Sequence, residues 1–129
     1  MSCCDIEALA AEPRGLQPSA DAVRTPKQYL YLKYPEYAEV LSRIGRCESG
    51  MRQFEEDGSV LRGKVDKNDT GTYQINLRFW GEKAKELGYD LETIEGNTKM
   101  AVYIYEHKGT SPWLPSVSFS FSSKLYSGL

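Results

Sequence analysis

The feature that most constrains this chain is an apolar helical stripe that runs into a carboxylate and then a glycine stop. Val40, Leu41, Ile44 and Cys47 recur at the spacing of one helix face. Glu48 follows on the border of that face, and Gly50 supplies the residue type that ends helices in a left-handed cap. A carboxyl half-shielded by apolar neighbours resists ionisation, so Glu48 is expected to keep its proton to higher pH than a solvated glutamate and to suit general-acid work near neutrality. Most glutamates at helix ends are solvated and inert, so position alone makes Glu48 a candidate and no more.

A second stretch, Asp69-Thr70-Gly71-Thr72-Tyr73-Gln74-Ile75-Asn76, adds a carboxylate, a glycine turn and two amides. Asp69 is the natural second acid for a reaction that needs two across one bond; equally, it can turn the backbone through an Asx hydrogen bond. Gly71 lets the backbone approach a substrate and permits an unusual φ. Gln74 can offer its amide to a sugar or bridge sheet to helix, Ile75 reads as core, and Asn76 reads as well as the N-cap of the next helix as it does as a ligand. Between the two stretches, Asp57-Gly58 flanked by strand formers predicts a turn within a small β-sheet.

Glu48-Ser49-Gly50, then Gly71-x-x-Gln74-Ile75-Asn76, then Gly109-x-x-x-Trp113 resembles, in order, the signature of the lysozyme superfamily. The Glu-Ser pair and Gly-x-x-Gln turn are similar to those of lytic transglycosylases and goose-type lysozymes. Cys47-Glu48-Ser49-Gly50 with the final Gly-x-x-x-Trp resembles the resuscitation-promoting factors, and Asp69-x-Gly71-x-x-Gln74-Ile75-Asn76 resembles animal-type lysozymes. The resemblance covers residues 37–116 or so. It implies an α+β, lysozyme-like fold, mostly helical, with a small antiparallel sheet beside an active-site cleft. It further implies cleavage of the β-1,4 bond between N-acetylmuramic acid and N-acetylglucosamine in peptidoglycan, by hydrolysis or lytic transglycosylation, with no cofactor and no metal. Glu48 and Asp69 would be catalytic. Ser49, Gly71, Tyr73, Gln74 and Asn76 would bind substrate, joined by Asn97 and by Tyr103 or Tyr105, although the usual Ala-Tyr-Asn motif is missing here. In the resuscitation-promoting factors the cysteine before the glutamate pairs with one just after the final tryptophan; that second position is Ser116 here, so Cys47 is expected as a buried free thiol, with pairing to Cys3 or Cys4 left open.

The chain's 129 residues suit one domain. A net charge of −2 lacks the basic excess of a nucleic-acid binder and disfavours tight electrostatic adhesion to an anionic wall. No apolar run is long enough to span a membrane, and the start, Met-Ser-Cys-Cys-Asp-Ile-Glu, has no recognisable signal peptide. Action on the cell wall, secreted, periplasmic or virion-associated, therefore follows from the resemblance rather than from an export signal; a phage enzyme needs none.

Residues 1–28 read as a mobile N-terminal arm, 29–116 as the catalytic domain and 117–129 as a C-terminal tail. Residues 6–11 suggest a short helical turn within the arm, and Val117-Ser118-Phe119-Ser120-Phe121-Ser122 alternates as a strand does. Either end is a candidate contact for a virion or protein partner, beside the peptidoglycan glycan strands themselves. Four tyrosines between Tyr29 and Tyr37 are expected to pack structurally, and Pro35 to open the helix that leads to Glu48. Leu77–Leu87 has helical spacing and stops at Gly88; there Trp80 is expected to pack in the core, with a sugar platform as its other role. Asn97 is expected to cap a helix that ends at Gly109, and His107 to be solvated. Trp113 closes the core. The rival class is a non-catalytic glycan-binding or phage virion structural protein on the same fold.

Overall fold

The computed structural model of the protein describes residues 24–113. Over that span the chain is α+β, mostly helical with one small antiparallel sheet. Helix α1 (Pro26–Lys33) starts where Thr25 and Gln28 form a reciprocal capping box and Pro26 takes the first helical position. Its first turn thus falls inside the segment assigned to the arm, because the cap satisfies the orphan N–H groups ahead of the tyrosines.

A 3-10 turn, Pro35–Tyr37, leads into α2 (Ala38–Ser49), so Pro35 opens that turn and not the α-helix itself. Ala38, Leu41 and Ile44 are buried along α2, while Val40 and Cys47 are half-buried at its margins. Gly50 ends the helix at φ 71°, with its N–H on Arg46 O.

Strand β1 (Asp69–Thr70) pairs antiparallel with β2 (Ile75–Asn76), Asp69 opposite Asn76 and Thr70 opposite Ile75. Single bridges join Phe54 to Val60 and Arg62 to Thr70. The Asp57-Gly58 turn forms, but the segments around it make only bridges, and the strands come from Asp69-Thr70 and from the Gln-Ile-Asn segment itself. The ladder stays short because the backbone between its strands bonds to side chains: Thr72 N–H to Gln53 Oε1 and Tyr73 N–H to Asn97 Oδ1.

Helix α3 (Leu77–Leu87) is capped by Asn76, whose Oδ1 accepts from the N–H groups of Arg78 and Phe79, and it stops at Gly88. Helix α4 (Ile94–Lys108) is capped by Thr93, whose hydroxyl accepts from Gly96 N–H, and it ends at Gly109. Asn97 is therefore not the cap expected of it: Thr93 takes that role one turn earlier, and Asn97 lies buried in the first turn. A closing 3-10 turn, Ser111–Trp113, seats Trp113 in the interior. Leu30, Leu41, Ile44, Tyr73, Ile75, Met100 and Ile104 meet in one core, with α1 packed against both α2 and α4.

Cys47 is disulfide-bonded, which corrects the free thiol expected of it. That expectation rested on Ser116 standing at the partner position implied by resemblance, with pairing to Cys3 or Cys4 left open. Cys3 and Cys4, Ser116, the turn at 6–11 and the alternating stretch 117–122 all lie outside the described residues. Among the described residues no helix is long and apolar enough to cross a membrane, and no cluster of His, Cys, Asp or Glu could hold a metal ion.

Candidate active site

Glu48 from the last turn of α2, Asp69 from the start of β1 and Gln74 from the turn between the strands come together at one place. All three are half-buried. Two cavities meet there. The first, about 640 Å³, continues past Phe79, Trp80, Ile104, Pro112 and Trp113. The second, about 1040 Å³, runs the other way past Arg52, Arg62, Lys64 and Lys67. Glu48, Asp69 and Gln74 line both, so they stand at the neck of a groove with an aromatic lobe on one side and a cationic lobe on the other.

The turn that carries Gln74 is clamped from several sides. Gly71 has φ 74° and Gln74, unusually for a non-glycine, φ 48°. A left-handed non-glycine residue costs of order 1 kcal/mol and persists only where its surroundings hold it. Those surroundings are explicit. Ser49 Oγ lies 2.8 Å from Thr72 O and 3.2 Å from Gly45 O, and donates its one proton there. Gln53 Oε1 accepts from Thr72 N–H at 2.9 Å and from Thr72 Oγ1 at 2.6 Å. Asn97 Oδ1 accepts from Tyr73 N–H while its Nδ2 donates to Thr70 O and Leu91 O. Trp113 Nε1 donates to Tyr73 O at 2.9 Å. Each such bond contributes about 1 kcal/mol net, and each buried amide left unpaired would cost more. The Glu-Ser pair thus joins two jobs: Glu48 faces the groove, and Ser49 ties the end of its helix to the Gln74 turn.

Several residues expected to touch substrate serve the scaffold instead. Gly71, Tyr73 and Asn97 are buried and line neither lobe. Gly71 brings the backbone close to the Gln53 and Asn97 amides. Tyr103 also lies outside both lobes; its ring packs on His107 at 4.1 Å, and His107 is exposed, as expected. Ser49 borders the cationic lobe, but its hydroxyl is committed to backbone. Asn76 borders the aromatic lobe with every hydrogen-bonding group in use, since beyond its capping oxygen its Nδ2 donates to Asp66 Oδ2 at 3.0 Å and to Asp69 Oδ1 at 2.9 Å. Asn76 is therefore a positioning residue that orients Asp69. Gln74 keeps its place at the groove, its Nε2 donating to Gly71 O.

Phe79, 78% exposed on α3, and the lysines of the loop before β1 carried no sequence signal of a site. Only the outward placement of an aromatic beside the half-buried Trp80 marks this wall of the groove. Gln53 was equally silent, since a single glutamine in a loop announces nothing.

No protein-family model matches this chain, and no curated protein or solved structure does. The chemistry of the site therefore rests on its own geometry. Two carboxylates and an amide converge where the two cavities meet, with aromatic faces lining the first of them.

The Asp66 carboxylate supports this arrangement from outside. The Asn68 N–H holds it down first, then the Arg78 guanidinium at 2.7 Å and the Asn76 amide, which together lower it from the ordinary 3.8 to about 2. A carboxylate depressed on folding stabilises the protein above its unfolded value, and that contribution disappears as pH falls through the folded one. Between about pH 4 and pH 2 the wild type should lose stability more steeply than Asp66→Asn, as read by urea midpoints across that range. Parallel curves for the two proteins would remove Asp66 from the account.

Tyr73 offers a cleaner test of the interior. Its hydroxyl lies beside Thr98 Oγ1 in full burial, neither oxygen has a well-formed hydrogen bond, and burial pushes the phenol well above its ordinary range. Tyr73→Phe should therefore leave stability within about 1 kcal/mol of wild type, on the stabilising side. A urea titration that shows a loss of about 2 kcal/mol or more would mean the hydroxyl is well paired.

Proposed function

We propose that this chain is a small lysozyme-like enzyme that cleaves the β-1,4 bond between N-acetylmuramic acid and N-acetylglucosamine in peptidoglycan. The observation that carries the reading is the convergence of Glu48, Asp69 and Gln74 at the neck of a groove, in the motif order that resembles the lysozyme superfamily. Glu48, half-buried, gives its proton to the glycosidic oxygen as the bond from that oxygen to C1 of the muramyl sugar breaks. Asp69, held in orientation by Asn76, stabilises the positive charge that develops at C1 or bonds to it. Water then adds at C1 and its proton returns to Glu48, which restores the acid. If the muramyl 6-hydroxyl attacks C1 in place of water, Glu48 takes that proton and the product is the anhydro sugar of a lytic transglycosylase. The Phe79 and Trp80 faces supply stacking surface for sugar rings on one side of the cut.

Mass spectrometry of soluble products from purified peptidoglycan tests the reading. Reducing-end muramyl products would establish hydrolysis, and anhydro-muramyl products transglycosylation. No product from folded protein on walls of several types would overturn the proposal in favour of a glycan-binding or virion structural role.

A further inference from the structure

The two lobes of the groove differ in charge. Among the described residues, the aromatic lobe has no charged residue on its wall apart from Glu48 and Asp69. The other lobe has Arg52, Arg62, Lys64 and Lys67, with Glu55 as its single further carboxylate among the described residues, in a chain whose net charge is −2. Arg62 is held at Glu92 and Thr70, and Arg52 Nε donates to Ser49 O. Lys64 and Lys67 are exposed and form no ion pair among the described residues. Between them Val65 is fully exposed on the rim of the same lobe. A lobe with unpaired cations focuses anions, and an exposed apolar side chain beside them suits a peptide rather than a bare phosphate.

We infer that the cationic lobe binds a carboxylate-bearing peptide substituent of the sugar beside the cut. This rests on the proposed function: the sugar immediately at the cut is muramyl on one side only, and its lactyl group carries the acidic stem peptide of peptidoglycan. The charge asymmetry then sets the direction in which a strand lies in the groove, with the peptide-bearing sugar against Lys64 and Lys67 and unsubstituted sugar faces against Phe79 and Trp80. Substrates whose stem-peptide carboxylates are free are preferred over those in which they are amidated.

The test is binding of a GlcNAc–MurNAc disaccharide carrying its stem peptide, which lacks the scissile bond, to wild type and to the Lys64→Ala/Lys67→Ala double variant. The acid form is compared with the same molecule whose carboxylates are primary amides. Two exposed ion pairs support an advantage of about tenfold in Kd for the acid form at low salt. The advantage should fall towards unity in the double variant, and in wild type when the salt concentration approaches about 1 M. Equal binding of the two forms, no binding of either, or an advantage that survives in the double variant overturns the inference. Cleavage of whole peptidoglycan is scored separately: cleavage without an acid preference leaves the proposed function standing and removes the peptide lobe. An acid preference without cleavage does the reverse.

Discussion

Glu48→Gln should lower peptidoglycan cleavage by about 10²–10⁴-fold, the range a general acid typically contributes, while melting within a few degrees of wild type. The substitution keeps the size and most of the polarity of a half-buried side chain at the end of α2 and removes its acid group. In the proposed mechanism the fall should appear in kcat more than in KM, because protonation of the leaving oxygen belongs to the transition state and not to ground-state binding. Turnover and melting temperature measured on the same preparation separate the outcomes. Undiminished cleavage would take Glu48 out of the mechanism. A loss of activity matched by a loss of structure would assign Glu48 to the scaffold.

Gly71→Ala should destabilise the fold by about 2–4 kcal/mol. At φ 74° an alanine is strained by roughly 1 kcal/mol. Its Cβ would also meet Asn97 Nδ2 and, at 2.7 and 2.8 Å, the two polar atoms of the Gln53 amide. Both amides are buried, and Asn97 together with Gln53 holds Thr72, Tyr73, Thr70 and Leu91, so neither can step aside without giving up hydrogen bonds. Overpacking of this kind costs about 1–3 kcal/mol beyond the strain. Gly58→Ala is the matched control: φ is 91° there, but a Cβ would meet nothing within 4 Å, so only strain is added. Denaturant midpoints for the two variants isolate the packing cost. Equal losses would mean that the Gln53 and Asn97 amides are free to move.

Helices α2 to α4 were legible because their signals are local; α1 was not expected. The stripe of Leu41 and Ile44, the stops at Gly50, Gly88 and Gly109 and the Asn76 cap each depend on residues within a turn or two. Glu48, Asp69 and Gln74 were legible as a group through the order of motifs along the chain. The burial of Asn97 and Tyr73 away from both lobes was not legible, because motif order ranks residues by proximity in sequence to the site, whereas burial depends on where the fold places them.

What the sequence determined by itself is therefore helices α2 to α4 and the three polar side chains at the neck of the groove. Only the tertiary structure decided which neighbours face the groove and which hold it. Ser49 reaches Thr72, Gln53 reaches Leu91 and Asn97 reaches Tyr73 across gaps in sequence of 23 to 38 residues. Such bonds form because a buried backbone turn must find partners wherever the chain brings them. The charge split between the lobes has the same origin: Lys64 and Lys67 are unremarkable until folding sets their loop across the groove from Phe79 and Trp80, with the two carboxylates between.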